Sequence, residues 1–514
     1  MKPNKVMSAA AAAALIEDGA TVGLVGGGGG LCEATTLHQA VEARFLDSGA
    51  PRGLTCVHAL GIGDRDRRGM NCFAYEGLVR RVIGGHWVWS PRMQELARSE
   101  KIEAYVLPGG VVMQLLREIA AGRPGLFTHV GLGTFADPRH EGGRLNASAR
   151  DELVELVEID GRELLRYRPF PIDVALLKGS CADREGNVSL DREPANVDLY
   201  AMAAAAHNSG GTVIVQVQEL VPDGSLPARA VRIPGVLVNA IVVDPGQRQG
   251  YAIDYDPSLS GERRRAVDPP PAPPFDIRQV VARRARSELR PGDTVNYGFG
   301  IPDAVAALVA ARGETGLYYQ TIEHGTYGGD LLTGMLFGYA RNPTAMIDAP
   351  SQFDFYSGGG LDIAFLGFGE VDAAGNVNAS KLGGLTVGPG GFVDIADNAR
   401  TVVFCGTFEA KGADVRPGGG RLAVHRHGAI AKFVDAVAQI TFSGSQAMAR
   451  GQTVRFVTER AVFTLTGEGL RLDEVAPGAE LEADILARMK FHPLIPRPPA
   501  AMAAEHFSEP GGHR

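Results

Sequence analysis

The feature that most constrains the fold is an internal repeat with an offset of 189 residues. The pattern Asp173-Val-Ala-Leu-Leu-x5-Asp-x2-Gly-Asn-Val matches Asp362-Ile-Ala-Phe-Leu-x5-Asp-x2-Gly-Asn-Val without a gap, and residues 212–215 match 401–404 at the same offset. Each Asp-x-x-Gly-Asn unit is typical of a turn between strands, in which Gly supplies a positive φ. The sequence therefore predicts two copies of one domain rather than a solenoid of many repeats.

Strand and helix patterns alternate along the chain. Apolar stretches such as residues 21–25, 54–60, 104–107 and 128–133 are typical of strands, and helical patterns of roughly 10–15 residues separate many of them. This alternation predicts an α/β fold with a largely parallel sheet. The chain holds 67 glycines among 514 residues, and they cluster where strands end. Ligands bind at the carboxyl ends of strands in such sheets, so these glycine loops are candidate binding loops.

A proline-rich stretch over residues 263–274 divides the chain, because its five prolines favour a stiff, extended connector. We therefore expect an N-terminal domain over residues 1–262 and a C-terminal domain over residues 275–492, with a site in the cleft between them. Residues 493–514 form a tail rich in Pro and Ala. We expect this tail to be poorly ordered, or ordered only by docking on its neighbour.

Composition and charge argue against several classes of protein. A net charge of −8 argues against a general nucleic-acid binder. No run of ~18 apolar residues predicts a membrane span, and Glu17 and Asp18 end the Ala-rich run over residues 8–16 too early for a secretory signal. The five cysteines form no Cys-x-x-Cys pair, which argues against a zinc site and favours reduced thiols. We expect a cytoplasmic protein without a membrane or nucleic-acid partner.

Glu323 is the candidate nucleophile. It follows a strand pattern over residues 317–322, and Gly325, Gly328 and Gly329 come directly after it. A carboxylate at the end of a buried strand, beside glycines that let another molecule approach, is suited to nucleophilic attack. The alternative is a Glu that caps the following turn or pairs with an Arg.

Two features of the N-terminal half have a structural and a functional interpretation. Five consecutive glycines at residues 26–30 join a strand to a helix predicted over residues 33–45, a unit that presents backbone N–H groups to an anion or forms a turn without a ligand. His86 follows Gly84-Gly85 and could act as a base. We favour the other interpretation, a packed and hydrogen-bonded core histidine beside Trp87.

Longer motifs resemble the family I CoA-transferases, in the fused acetate/propionate form (acyl CoA:acetate/3-ketoacid CoA-transferase). In the C-terminal half they are Glu323-His-Gly, Gly-Gly-Gly-Leu-Asp at 358–362, Asp-x-x-Gly-Asn-Val-Asn at 372–378 and Gly-Pro-Gly-Gly-Phe-Val-Asp at 388–394. The N-terminal half adds residues 54–58, 69–77, 131–138 and 255–262. The resemblance runs from near residue 5 to about residue 490. It implies two tandem open α/β domains of the NagB/RpiA/CoA-transferase-like type.

The resemblance implies an enzyme of short-chain fatty acid metabolism that transfers CoA from an acyl-CoA to a carboxylic acid such as acetate or propionate. Glu323 would attack the thioester, and a glutamyl-CoA thioester would carry CoA in ping-pong catalysis. No metal and no cofactor are implied, because the CoA thioester is a substrate. The family also implies a homo-oligomer, either a tetramer or a dimer.

The resemblance assigns further site residues. Loops expected to contact CoA and stabilise oxyanions contain Gly298, Gly300, Ile301, Pro302, Gly388, Gly390 and Gly391. Candidates for the acyl pocket are Gln114, Gly131, Thr134 and His324. Relatives that use ketoacids have Pro-Glu-Asn after the first glycine loop, and its Asn helps the oxyanion. Here residues 31–36 read Leu-Cys-Glu-Ala-Thr-Thr, so that contribution must come from the backbone or from another group.

Two alternative functions use the same fold. An acyl-CoA hydrolase, or a citrate-lyase-like CoA-transferase subunit, would keep the fold without this transfer between free acids. A hydrolase would release CoA without an added carboxylate. A non-catalytic ligand sensor would keep its function after Glu323→Ala.

Overall fold

The computed structural model describes residues 4–266 and 274–509. The chain divides into two compact units. Unit 1 comprises Met1–Arg265, Ile322–Phe355 and Leu385–Asp394, and unit 2 comprises Ala266–Thr321, Tyr356–Gly384 and Ile395–Arg514. Most of the predicted proline-rich linker falls on residues 267–273, which lie outside the described residues.

Unit 1 is built on a parallel sheet of seven strands. In spatial order the strands are Ala240–Val243, Thr212–Val217, Val174–Lys178, Thr21–Leu24, Leu54–His58, Val79–Gly84 and Glu103–Val106. Every neighbouring pair runs parallel, and Val22 pairs with Cys56 on one side and with Val174 on the other. The strand Leu54–His58 is buried along its whole length, as expected where both faces of a parallel sheet are covered.

The helices of this unit include Ala9–Ala13, Thr35–Ser48, Pro91–Arg98, Gly109–Ala120 and Leu199–Asn208. Ser8 caps the first helix, since its side chain accepts a hydrogen bond from the backbone N–H of Ala11. The helix predicted over residues 33–45 instead begins at Thr35 and continues to Ser48. It ends where Gly49 adopts a left-handed conformation with φ of 70°.

Smaller sheets complete unit 1. One has the strand order Glu219–Leu220, Cys181–Ala182, Val188–Ser189 and Val231–Ile233, and another has the order Leu126–Thr128, Arg162–Tyr167 and Val154–Ile159. Two short antiparallel pairs join Thr326–Tyr327 to Ala345–Met346 and Asp330–Leu331 to Ala340–Arg341. The strand predicted over residues 128–133 is wrong beyond Thr128. Gly131 and Gly133 there have φ of 95° and 71°, which turn the chain.

Unit 2 has its own sheet, in the spatial order Tyr319–Ile322, Thr294–Tyr297, Ile363–Gly367, Thr401–Cys405, Thr453–Val457, Ala461–Thr466, Gly469–Val475 and Ala500–Ala501. The first five strands run parallel, and the next two add antiparallel pairs. Helices in its segments include Ile277–Arg286, Asp303–Ala311 and Gly444–Ala449. The chain passes between the units within the helices Ala349–Ser357 and Phe392–Ala396.

The sequence repeat is also a structural repeat. The strands Val174–Lys178 and Ile363–Gly367 begin and end at the same offset as the sequence match. In one copy the side-chain amide of Asn187 donates to Asp183 at 2.8 Å, and in the other Asn376 donates to Asp372 at 2.9 Å. The predicted α/β class with two like domains is therefore confirmed.

The described part of the C-terminal tail docks on unit 2. Ala500–Ala501 pairs with Glu474 and Val475, and Phe507 is buried. Arg283 donates a hydrogen bond to the Ser508 carbonyl at 2.6 Å. The last residues of the predicted tail, 510–514, lie outside the described residues. No helix within residues 4–266 and 274–509 is long and apolar enough to cross a membrane.

Candidate active site

Glycine-rich loops of unit 1 meet at the carboxyl edge of its parallel sheet. The strands Leu54–His58 and Val79–Gly84 end immediately before residue 59 and Gly85, respectively. A Cβ at Gly85 would lie 1.9 Å from the carbonyl oxygen of Ala59 and 3.1 Å from the Cα of Gly109. These backbones can approach so closely only because the positions are glycine.

The segment over residues 387–391 lies against these strand ends and is fixed by main-chain hydrogen bonds. The N–H of Gly109 donates to the Gly390 carbonyl at 2.6 Å, and the N–H of Gly390 donates to Gly85 at 2.9 Å. The N–H of Trp87 donates to the Val387 carbonyl at 2.8 Å. The backbone of the predicted Gly-Pro-Gly-Gly loop is therefore held in place without side chains.

Glu323 contacts this loop from the end of the strand Tyr319–Ile322. Its half-buried carboxylate accepts a hydrogen bond from the backbone N–H of Gly391. A Cβ at Gly391 would lie 2.0 Å from Oε2 of Glu323 and 2.9 Å from the ring of Phe353. Only glycine at this position lets the carboxylate approach the backbone.

The second carboxylate oxygen of Glu323 has a different environment. A Cβ at Gly390 would lie 4.0 Å from Oε1 and 3.7 Å from Cδ2 of His86, which are ordinary van der Waals distances. Oε2 therefore packs against Gly391, and Oε1 lies near Gly390.

The electrostatics of the site follow from burial. Burial raises the pKa of Glu323 to about 7, although the Gly391 N–H opposes this shift. Burial lowers the pKa of His86 to about 4, with further contributions from His58 and Arg65. Near neutral pH the site therefore holds a carboxylate close to its titration point and a neutral imidazole.

His324, one of the predicted acyl-pocket residues, is buried beside the first glycine loop. Its Nδ1 donates a hydrogen bond to the Gly338 carbonyl at 3.2 Å. A Cβ at Gly27 would lie 3.0 Å from Nε2, and a Cβ at Gly338 would lie 2.4 Å from Cε1. The ring therefore fills the space that side chains at these two glycines would need. Burial lowers the pKa of His324 to about 4, so the ring is neutral.

Glu33 holds the first glycine loop, a role that the sequence analysis missed. It is 1% exposed, and its Oε1 accepts from the N–H groups of Gly30 at 3.2 Å and Gly63 at 3.0 Å. The Tyr251 hydroxyl donates to Oε2 at 2.6 Å. Burial raises the pKa of Glu33 to about 7 against the effect of these bonds. The available signal was a single carboxylate three residues after the last glycine of the loop.

The other predicted acyl-pocket residues contact their own neighbours. The Gln114 amide donates to Asp354 at 2.9 Å, and the Thr134 hydroxyl donates to the Gly131 carbonyl at 2.7 Å. A Cβ at Gly131 would lie 2.6 Å from the Tyr167 hydroxyl. None of these three contacts is with Glu323. Their role in an acyl pocket stays a prediction.

The predicted loop with Gly298, Gly300, Ile301 and Pro302 belongs to unit 2. It follows the strand Thr294–Tyr297 and precedes the helix Asp303–Ala311, as the pattern predicts. The N–H of Gly300 donates to the Asp303 carboxylate at 3.2 Å, and Gly300 has φ of 95°. Its contact with CoA stays a prediction.

His86 is not the packed, hydrogen-bonded core histidine that we favoured. It is half-buried, and its Nδ1 has no hydrogen-bond partner within the described residues. The buried neighbour is Trp87, whose indole N–H donates to the Gly84 carbonyl at 3.2 Å. His86 follows the same strand-then-glycine pattern as the other loops, and that pattern is the signal that could have favoured a functional role.

The part of the chain that the structure describes contains no group of three or more His, Cys, Asp or Glu residues placed to hold a metal ion. The cysteines Cys32, Cys56, Cys72, Cys181 and Cys405 are buried free thiols.

Comparison with known proteins identifies the family. The Coenzyme A transferase family profile matches residues 6–244. Acetate CoA-transferase YdiF from Escherichia coli (strain K12) is 42% identical over 491 residues, which cover 95% of this chain and 92% of YdiF. The chain belongs to the coenzyme A transferase family.

Further relatives agree with this assignment. Caffeate CoA-transferase from Acetobacterium woodii is 42% identical to this transferase over 515 residues, with 98% of each chain covered. The crystal structure of the YdiF apoenzyme from E. coli O157:H7 matches with a TM-score of 0.94 at 41% identity, covering 98% of this chain and 96% of that one. A second YdiF structure, described as a thioester complex with CoA, matches with a TM-score of 0.93 and the same coverage. The protein is therefore an enzyme that transfers CoA between an acyl-CoA and a carboxylate.

Proposed function

We propose that this transferase moves CoA from a short-chain acyl-CoA to an acid of the acetate or propionate type through a glutamyl-CoA thioester on Glu323. One observation carries the proposal. The Glu323 carboxylate accepts a hydrogen bond from the Gly391 N–H and packs against the backbone of the glycine loop. A carboxylate that backbone groups position in a glycine loop is suited to covalent catalysis.

The proposed reaction proceeds in two half-reactions. The Glu323 carboxylate attacks the thioester carbon, and CoA leaves as a thiolate from the resulting tetrahedral intermediate. The thiolate then attacks the mixed anhydride at the Glu323 carboxyl carbon and releases the donor acid. An acceptor carboxylate runs the same steps in reverse and leaves with CoA. The partial burial of Glu323 supports this chemistry, because a carboxylate that sheds water is a better nucleophile.

The relatives are named for different acids, so the acid of this transferase is proposed from its own residues. One relative is named for acetate and another for caffeate, and both are 42% identical to this chain. His324 follows Glu323 in the chain and its ring is bulky and buried, so we propose a small acyl group, with acetate and propionate as the acids. CoA acts as a substrate, and we propose that the reaction needs no further cofactor. We also propose a cytoplasmic homo-oligomer without nucleic-acid or membrane partners.

Mass spectrometry after incubation with acetyl-CoA or propionyl-CoA tests this proposal. We expect a CoA adduct on the wild-type protein, and after borohydride reduction a modified residue that maps to Glu323. Glu323→Ala should show neither. An adduct that maps elsewhere, or transfer activity that survives in Glu323→Ala, would refute the mechanism.

A second assay separates the alternative functions. CoA release from acetyl-CoA is measured with and without added propionate. A transferase forms propionyl-CoA only when propionate is present, whereas a hydrolase releases CoA at the same rate without it. Binding of CoA without any adduct or turnover would instead favour a ligand sensor.

A further inference from the structure

Lys432 of unit 2 is a buried lysine that has no counter-ion among the described residues. Its side chain is 8% exposed, and Nζ lies 4.0 Å from the centroid of the Phe368 ring. Nζ forms no hydrogen bond and no ion pair with residues 4–266 or 274–509. Buried charges in proteins are normally paired, because the removal of an ion from water is unfavourable. An ammonium that folding leaves without an anion is therefore suited to receive one from a ligand.

The carboxylate that acts on Lys432 is that of Glu459, but other groups contact both of its oxygens. The N–H of Phe408 donates to Oε2 at 2.8 Å, and Nε of Arg460 lies 3.3 Å from Oε1. Burial lowers the pKa of Lys432 to about 8, against the opposing effect of Glu459. The protein therefore compensates the charge of this ammonium only in part.

Lys432 lies at the carboxyl edge of the parallel sheet of unit 2. Phe368 directly follows the strand Ile363–Gly367, and Gly406 directly follows its parallel neighbour Thr401–Cys405. A Cβ at Gly406 would lie 2.8 Å from Nζ, so the ammonium stands where a side chain at position 406 would otherwise be. Ligands bind at the carboxyl ends of strands in sheets of this kind.

The backbone of Lys432 is fixed, while the tip of its side chain reaches solvent. Its carbonyl accepts a hydrogen bond from the N–H of Val371 at 2.8 Å, and the preceding strand Ile430–Ala431 pairs with Glu409–Ala410. Nζ has no partner in the described chain, yet it is not among the fully enclosed side-chain nitrogens, so part of its surface is open. An anion can therefore reach the ammonium from solvent without breaking a hydrogen bond or ion pair of Nζ.

We infer that Lys432 is the cation of a binding site for a phosphate group at the carboxyl edge of the unit 2 sheet. An ammonium offers three N–H donors and a full positive charge. A phosphate monoester carries about −1.5 to −2 charges at pH 7, more than a carboxylate, so it gains most from a cation that the protein compensates only in part. The residues of this site all belong to unit 2, and the inference does not depend on the role of Glu323.

Isothermal titration calorimetry of the full chain with inorganic phosphate tests the site, at an ionic strength held constant with KCl. We expect wild type to bind phosphate and Lys432→Met to bind it at least about tenfold more weakly, because the charged donor is lost. Lys432→Arg keeps the charge and should keep the binding. Lys490→Met is the matched control, because Lys490 is an exposed lysine of the same unit, and it should bind phosphate as wild type does.

The same titration at higher pH tests the ammonium itself. As the pH rises above about 8, the amine of Lys432 loses the proton and the charge that attract phosphate. The phosphate affinity of wild type should therefore fall by about tenfold between pH 8 and pH 9.5. Because arginine stays charged over this range, the affinity of Lys432→Arg should change by less than about threefold. A wild-type affinity that is constant over this range would overturn the inference.

Thermal unfolding without phosphate separates a ligand site from a structural lysine. Lys432→Met should have a Tm equal to or above that of wild type, because it removes a buried charge without a counter-ion. A lower Tm with unchanged phosphate binding would show that Lys432 is structural and would overturn the site. Binding of chloride as tight as that of phosphate would also overturn it. If Lys432→Met does not fold, the pH dependence of Lys432→Arg decides.

Titrations with CoA and pantetheine identify the source of the phosphate group. If CoA supplies it, inorganic phosphate competes with CoA, and Lys432→Met weakens the binding of CoA but not of pantetheine, which has no phosphate. If free phosphate is the ligand, it binds to wild type that is saturated with CoA, and Lys432→Met leaves the affinity for CoA unchanged. Both results support a phosphate site at Lys432. If Lys432→Met binds inorganic phosphate and CoA as wild type does, the inference is wrong.

Discussion

Glu323→Gln should stabilise unit 1 above neutral pH while it removes transfer activity. The pKa of Glu323 is raised from an ordinary value of 4.5 to about 7, mainly by burial. The folded state thus binds this proton more tightly than the unfolded state. The stability contributed by the protonated form is complete below pH 4.5 and is lost as the pH rises through 7. Glutamine carries no charge and avoids this loss.

The expected size follows from the same two pKa values. At about 1.4 kcal/mol for each pH unit between them, charging Glu323 costs the folded state about 3 kcal/mol at pH 8 and under about 1 kcal/mol at pH 5. Residual exposure of the carboxylate to water lowers this cost, so about 3 kcal/mol is an upper value. The gain in stability from Glu323→Gln should therefore grow by about 2 kcal/mol between pH 5 and pH 8.

Tryptophan fluorescence during urea unfolding measures this difference selectively. The only two tryptophans, Trp87 and Trp89, both belong to unit 1, so their signal follows the unit that contains Glu323. Glu158→Gln is the matched control, because Glu158 is an exposed carboxylate of the same unit. A stability difference between Glu323→Gln and wild type that is the same at pH 5 and pH 8 would refute the assignment of a buried, raised-pKa carboxylate.

Three further predictions concern the same unit and its activity. Gly391→Ala should lower kcat by about 10²-fold or more in steady-state assays, because the new Cβ would lie 2.0 Å from Oε2 of Glu323. Gly316→Ala is the control and should match wild type, because no atom lies within 4 Å of the Cβ position at Gly316. In wild type, kcat/KM should rise with pH and level off above about 7 as Glu323 ionises, and a flat profile between pH 5 and 8 would contradict this. Glu33→Ala leaves the buried N–H groups of Gly30 and Gly63 and the Tyr251 hydroxyl without their acceptor. It should therefore lower the free energy of unfolding of unit 1 by about 1–3 kcal/mol for each group, which the same fluorescence assay measures.

Local sequence signals predicted many of the strands and helices, and they located Glu323 within the candidate site. The strand Thr294–Tyr297 and the helix Asp303–Ala311 have their predicted bounds, because apolar patterns, turn residues and glycine loops are read over a few neighbouring residues. Glu323 was located by the same means, at the end of a strand. The strand predicted over residues 128–133 failed because two glycines with positive φ turn a stretch whose composition resembles a strand.

Contacts between distant parts of the chain could not be read from the sequence. His86 and Gly390 lie about 300 residues apart, and only tertiary packing brings the imidazole and Oε1 of Glu323 close to the backbone of Gly390. The family motif identified Gly391 but not its contact, a backbone N–H that donates to the Glu323 carboxylate 68 residues earlier in the chain. No local pattern encodes a contact between residues that far apart.

Two carboxylates of unit 1, Glu33 and Glu323, have pKa values raised to about 7 by burial, but their hydrogen-bond donors differ. Both oxygens of Glu33 have donors, from Gly30, Gly63 and the Tyr251 hydroxyl, so neither is available to a substrate. Glu323 accepts its backbone hydrogen bond from Gly391 and packs against the glycine loop. A raised pKa therefore shows only that a carboxylate is buried. The donors around each carboxylate distinguish Glu33, which holds a loop, from Glu323, the proposed nucleophile.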